Sequence, residues 1–139
     1  MPVVIDIPSR LQRLTRDCQR LESYRQLNLE EFLANPAVQD DTAYLLCTTF
    51  QSALDIATGL LSRLSLPRPA AETHAFALLA AKEVLSEGCV AQLNAMQGLC
   101  DALSQQYGEI DPQWIYQTLQ VNLAGLSQFV EQIQAFLER

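Results

Sequence analysis

The segment DPQWIYQTLQVNLAGLSQFVEQIQAFL, residues 111–137, decides the fold class of this chain. Asp111 has a carboxylate that can accept hydrogen bonds from the free N–H groups at a helix start, and Pro112 suits the first helical position. Large apolar residues then recur every three or four positions, which puts them on one helix face: Ile115, Leu119, Leu123, Leu126, Val130, Ile133 and Leu137. The segment is therefore predicted to form a long helix that buries one face.

The first half of the chain carries the same signal. Pro8 and Ser9 open a pattern of apolar residues with three- and four-residue spacing. Asn28 and Glu31 have the spacing of a capping box, which predicts a short helix that ends before Pro36. From there a long apolar stripe continues until the next prolines, so a helix of about 30 residues is expected, roughly 45 Å long.

Two more helical patterns follow, over residues 70–85 and from Ser86 to a break expected at Gly108. No segment alternates polar and apolar residues for long enough to predict a strand. Helices joined by short connections pack as antiparallel neighbours. We therefore predict an all-α fold, an antiparallel bundle of four main helices plus a short extra helix, in a single domain of residues 1–139.

The charge distribution argues against a protein whose main function is to bind nucleic acid. The net charge is −7, whereas phosphate binding favours a positive protein. Five of the nine cations lie in the first 25 residues, and residues 83–138 contain no Lys, Arg or His. Arg10, Arg13 and Arg20 share one face of the first helix; we interpret them as a solvated face, with a dock for RNA or an acidic partner as the alternative.

Metal and cofactor sites find little support in the sequence. The four cysteines contain no CxxC pair and predict reduced, mostly buried thiols of a cytoplasmic protein. His74 is the sole histidine, so no zinc-type spacing exists, and it is interpreted as a capping or surface residue. Asp40, Asp41 and Asp55 are interpreted as helix-surface charges rather than metal ligands. We expect no cofactor, no metal and no membrane segment.

Two stretches carry a resemblance to a known family. LNLEEFLANPAVQDDTAYLLCTTFQSALDIATGLLSRLSLP (27–67) and LNAMQGLCDALSQQYGEIDPQWIYQTLQVNLAGLSQFVEQI (93–133) resemble the HepT-like proteins of the HEPN superfamily. The resemblance implies a dimeric all-α toxin of a toxin–antitoxin module that cleaves RNA without a metal. It also implies a partner, a nucleotidyltransferase (MNT-type) antitoxin that attaches AMP to a motif tyrosine.

The family motif is Arg, four residues, His, any residue, Tyr, and this chain departs from it. Cys100 stands in place of the arginine and Gln105 in place of the histidine, while Asp101 replaces a polar residue. Tyr107 alone matches, which makes it a candidate adenylylation acceptor. Asp55 is a candidate cleft residue, although a surface carboxylate is the preferred interpretation.

These replacements remove the groups that the reaction needs. Attack by a 2′-OH requires a proton acceptor and donor with a pKa near the working pH, and stabilisation of the developing negative charge. Gln105 cannot exchange a proton near pH 7, Cys100 is not cationic, and Asp101 adds an anion. Substitute cations would have to come from Arg63, Arg68, Lys82 or the N-terminal arginines.

The leading hypothesis is a HepT-like protein that dimerises, does not cut RNA, and works as an interaction or regulatory module or as a decayed toxin that still binds its antitoxin. Two alternatives stay open: an active metal-independent ribonuclease that uses other residues, and a nucleotide-binding module. Trp114, Ile115 and Leu119 are predicted as core residues, with dimer contacts as the alternative.

Overall fold

The computed structural model describes residues 6–67, 69–71, 74–105 and 110–139, and in these ranges the regular elements are helices. Four are long and two are short: α1 (Ile7–Arg25), α2 (Leu29–Leu33), α3 (Pro36–Arg63), α4 (His74–Ala81), α5 (Glu87–Gln105) and α6 (Pro112–Leu137). The all-α prediction is confirmed. In the described ranges no helix is both long enough and apolar enough to cross a membrane.

The helix starts follow the predicted capping residues. Asp111 accepts from the backbone N–H of Gln113 at 2.9 Å, with Pro112 as the first residue of α6. Asn28 and Glu31 form the complete capping box of α2. These side chains replace partners that the first N–H groups of a helix cannot find within it. The boundaries read from the sequence therefore hold at these points.

The predicted helix over residues 70–85 is too long, because α4 ends at Ala81. Glu83 has a left-handed backbone (φ 60°), and the N–H of Val84 then bonds back to the carbonyl of Leu79 at 2.9 Å. This Schellman arrangement normally uses glycine, since a side chain disfavours positive φ. Ser65 ends α3 in the same way. Neither helix has a glycine at the residue that ends it, so the sequence pattern alone overestimates the length of α4.

The core lies where α1, α3, α5 and α6 meet, and short α4 closes one side of it. Phe76 of α4 packs edge-on against Phe50 of α3 and Phe129 of α6, with ring centroids 6.1 and 5.8 Å apart. All three phenylalanines are buried. Edge-to-face aromatic packing adds to the free energy gained from burying the rings. An eight-residue helix is marginal alone, so this packing holds α4 in place.

Gly125 sets the distance between α5 and α6. A Cβ atom there would lie 2.5 Å from Cβ of Gln92 and 3.5 Å from its backbone. The backbone carbonyl of Gly125 also accepts from the Cys89 thiol, at 3.4 Å. Beside it, Asn122 donates to the side-chain oxygen of Gln92 at 2.8 Å. The two helices therefore approach more closely than a larger residue at position 125 would permit.

We predict that Gly125→Ala destabilises the fold. The new methyl group must push α5 away, which costs more than alanine's gain in helix propensity, for a net loss of about 1–2 kcal/mol in the free energy of unfolding. Urea denaturation followed by circular dichroism measures it. The matched control is Gly88→Ala in the same pair of helices, where a Cβ would meet nothing within 4 Å. Equal effects of the two substitutions would contradict the close approach at Gly125.

Candidate functional site

A cleft of about 590 Å³ lies between α3 and α5, and two residues of the degenerate motif line it. Cys100 and Asp101 contribute from α5. The remaining lining residues are Cys47, Thr48, Phe50, Gln51, Leu54, Ala71, Gln97 and Ser104. We call this cleft the motif cleft. Helix α5 presents positions 97, 100, 101 and 104 because residues three and four apart share a face. The structure thus brings two of the motif positions, Cys100 and Asp101, to a concave surface.

Cys100 is directed toward the protein interior. Its side chain is buried, and its Sγ lies 3.8 Å from the carbonyl oxygen of Leu46 in α3. Asp101 is exposed and is the sole charged side chain among the described residues that line the motif cleft. A phosphate at this surface would meet a carboxylate and a neutral thiol, so the local electrostatics are unfavourable for it.

The other motif positions lie at or past the end of α5. Gln105 is its last residue, is exposed, and does not line the motif cleft. Tyr107 lies outside the described residues, as does the break expected at Gly108. Of the substitute cations, Arg68 is also outside them, and Arg63 and Lys82 are exposed residues that do not line the cleft.

Three N-terminal arginines border α3 and stay on a largely solvated face, since Arg13 and Arg20 are exposed and Arg10 is half-buried. Arg10, Arg13 and Arg20 line a second depression of about 570 Å³ between α1 and α3, here called the arginine groove. The groove shares Thr48 and Gln51 with the motif cleft, so the two are adjacent. Asp17, Tyr44, Leu45, Ser52 and Asp55 complete its lining. Three arginines face two aspartates, which leaves a small positive excess.

Two aspartates of α3 form ion pairs with arginines of α1. Asp55 pairs with Arg10 at 3.3 Å and accepts from Gln51 at 3.0 Å, and it lines the arginine groove rather than the motif cleft. Asp41 pairs with Arg20 at 2.7 Å and also accepts from the Tyr24 hydroxyl. The described residues contain no cluster of three or more His, Cys, Asp and Glu side chains that could hold a metal. The two carboxylates tie α1 to α3.

The structure also brings Cys47 to Cys100, which the sequence could not show because the two are far apart in the chain. Hydrogen bonding with Cys100 lowers the pKa of Cys47, while the same hydrogen bond and burial raise the pKa of Cys100. Of this pair, Cys47 is partly exposed and Cys100 is buried, so Cys47 is the thiol that solvent reaches more easily. Burial raises the pKa of Cys18 to about 12 and that of Cys89 to about 11.

Trp114 corrects one core prediction. Ile115 and Leu119 are buried as expected, whereas Trp114 stays 40% exposed. Its ring lies along α5, where a Cβ on Gly98 would be 3.8 Å from it. The reason is helical geometry: Trp114 precedes the buried stripe that begins at Ile115 and points to its edge. His74, the first residue of α4, is exposed, in agreement with the surface interpretation.

We predict that Cys47 is the cysteine that reacts first with iodoacetamide in the native chain. At about pH 8 its lowered pKa and its opening into the motif cleft give it more thiolate than buried thiols have, so labelling is roughly ten-fold faster or more. Peptide mass spectrometry over time measures each site. In urea all four cysteines should label alike, which is the control. Labelling of Cys18 or Cys89 as fast as Cys47 would contradict the described environments.

Solved structures share this fold. The chain matches a tri-AMPylated Shewanella oneidensis HEPN toxin, solved in complex with MNT antitoxin, with a TM-score of 0.82 at 21% identity over 97% of this chain and 99% of that one. It also matches YutE of Bacillus subtilis, a cytosolic protein of unknown function, with a TM-score of 0.79 at 14% identity over 99% of this chain and 94% of that one. At these identities the likeness shows the fold.

The family follows from the sequence matches. The chain is 27% identical over 136 residues to a tRNA nuclease HepT of Aphanizomenon flos-aquae (strain 2012/KM1/D3), covering 98% of this chain and 91% of that protein. A family model described as Ribonuclease HepT-like matches residues 14–133, which span nearly the whole helical bundle. The chain belongs to the Ribonuclease HepT-like family.

Proposed function

We propose that this chain is the HepT-like member of a toxin–antitoxin pair that has kept the fold and lost the RNA-cleaving chemistry. In this proposal it acts as a dimeric interaction or regulatory module in the cytoplasm. One observation carries the proposal: among the described residues lining the motif cleft there is no cation and no histidine, and Asp101 supplies a negative charge. The position of the family's arginine is occupied by the buried Cys100.

The chemistry explains why this observation matters. Cleavage through the 2′-OH builds negative charge around phosphorus and moves two protons. At position 105 a glutamine amide neither takes up nor releases a proton near neutral pH. At position 100 the raised pKa keeps the thiol neutral, so it supplies no positive charge. We therefore expect the natural cleft to lack both the acid–base step and the charge stabilisation.

The partner proposal rests on the relatives. The Shewanella oneidensis toxin was solved in complex with MNT antitoxin, and a related toxin–antitoxin structure carries AMP-PNP. By analogy we propose that this chain binds a nucleotidyltransferase of the MNT type. Tyr107 stands at the matching motif position and is the proposed acceptor of AMP. Such an interaction needs the fold and the tyrosine, both of which are kept although Cys100 and Gln105 replace the arginine and the histidine of the motif.

We further propose a homodimer through the face that bears the motif cleft and the arginine groove. Tyr44, which lines the groove, is 65% exposed, and it lies on the same helix α3 as the cleft residues Cys47 and Gln51. An aromatic ring exposed to this degree beside a concave surface is typical of a protein–protein contact. In a dimer of this kind the clefts of two copies would lie near each other.

Light scattering at micromolar concentration tests the dimer. The natural chain is expected to give twice the chain mass. Tyr44→Asp should give the monomer mass, because it places a charge where the proposed dimer buries an aromatic ring. Val121→Asp is the matched control: Val121 is 61% exposed on α6 and lines neither the cleft nor the groove, so the dimer should persist. A natural chain that is monomeric would overturn the dimer proposal.

The alternative, an active ribonuclease that uses residues outside the motif, is favoured by one observation. The arginine groove adjoins the motif cleft at Thr48 and Gln51, so α1 could supply the positive charge that α5 lacks. Arg10 and Arg20 are already paired with Asp55 and Asp41, which leaves Arg13 as the groove arginine without an ion pair among the described residues. This alternative requires that Arg13→Ala abolish the cleavage of RNA by the natural chain.

Restoring the motif tests the proposed loss directly. We predict that Cys100→Arg/Gln105→His cleaves RNA, because it supplies the cation and the acid–base group together, with a rate on the order of 10² or more above the natural chain. The rate is measured on a pooled tRNA substrate without added metal.

The matched control is Cys100→Gln/Gln105→His, which supplies the histidine without the positive charge and should cleave far more slowly. Circular dichroism and light scattering establish that each variant is folded and in the same oligomeric state. A folded Cys100→Arg/Gln105→His variant that leaves RNA intact would contradict the assignment of the motif cleft as a former nuclease site.

A further inference from the structure

Cys47 and Cys100 form a pair at the wall of the motif cleft. Both line it, one from α3 and one from α5. The Sγ of Cys100 lies 3.8 Å from the carbonyl oxygen of Leu46, the residue that precedes Cys47. A hydrogen bond links the two thiols. The fold thus places two hydrogen-bonded thiols at the wall of one open cleft.

The two cysteines differ in exposure, and stepwise thiol oxidation requires one accessible thiol that reacts first. Cys47 is partly exposed, so an oxidant can reach it from the cleft, whereas Cys100 is buried. The thiolate is the reactive form of cysteine, and reaction is fastest where it is both accessible and favoured. Cys18 and Cys89 are buried and line no part of this cleft, so they serve as internal references.

We propose that Cys47 and Cys100 are a dithiol site that hydrogen peroxide oxidises to an intrachain disulfide across the motif cleft. The Cys47 thiolate attacks one peroxide oxygen, the O–O bond breaks, and hydroxide leaves, which gives a sulfenic acid. The Cys100 sulfur then attacks the Cys47 sulfur; the S–O bond breaks and water leaves with the Cys100 proton. In total two thiols and one peroxide give one disulfide and two waters.

The disulfide would join α3 to α5 covalently, where noncovalent packing alone now holds them. In the reduced chain all four cysteines are free thiols. The site therefore has two states that differ in whether a covalent bond joins the two walls of the cleft. It does not depend on whether the protein cuts RNA or binds an antitoxin, so its test stands apart from that of the proposed function.

Mass spectrometry of the purified full chain after exposure to hydrogen peroxide tests the proposal. We expect the intact mass to fall by two hydrogen atoms and to return on reduction with dithiothreitol. Trypsin leaves Cys47 within residues 26–63 and both Cys89 and Cys100 within residues 83–139. Chymotrypsin then separates the latter two at Leu93 or Leu99. The expected crosslink joins the Cys47 peptide to the Cys100 peptide within one chain.

Cysteine variants identify which thiols form the disulfide. Cys47→Ser and Cys100→Ala should each lose the two-hydrogen change, and the doubly substituted Cys18→Ala/Cys89→Ala chain should keep it. Peptide mapping of the natural chain decides the question where a variant fails to fold. A crosslink through Cys18 or Cys89, a disulfide between two copies on a non-reducing gel, or no mass loss while peroxide oxidises the methionines would each overturn the proposal.

Discussion

The close approach of α5 to α6 at Gly125 is the constraint on which the site depends. Because a Cβ at position 125 would collide with Gln92, glycine sets how deeply α5 can lie in the bundle. The hydrogen bond from Cys89 to the Gly125 carbonyl and the contact between Asn122 and Gln92 hold the helix at that depth. Further along α5, the same rigid helix presents positions 100 and 101 to α3. Packing on one side of α5 thereby fixes the cleft on the other side.

The residues that maintain the helical bundle differ from those that RNA cleavage requires. Family membership accounts for the helical bundle, whereas the rate of a reaction depends on a few groups placed on it. At position 100 the natural side chain faces the interior and contacts the Leu46 carbonyl, a setting for a small neutral group. Position 101 adds a carboxylate to the lining. A cleft of this composition suits protein contact or thiol chemistry better than phosphate binding.

The sequence predicts the bundle well because its signals are local. Caps such as Asp111 and Asn28 act within one turn, and the apolar spacing of α6 follows from 3.6 residues per turn. The end of α4 could not be predicted, since Glu83 takes a left-handed conformation usually reserved for glycine. The meeting of Cys47 with Cys100 and the alignment of the α1 arginines beside the cleft depend on how helices pack. Such contacts between distant residues leave no spacing signal in a single sequence.

The central claim, that the fold persists without the chemistry, is tested most directly by single-turnover cleavage of pooled tRNA with the natural protein in large excess. The rate of strand scission is expected to equal the rate in buffer alone, since the described residues that line the cleft include no histidine and no cation. Scission that co-elutes with the protein and disappears with Asp101→Ala or Tyr107→Phe would contradict it. In that case the site has been rebuilt from groups other than the lost arginine and histidine.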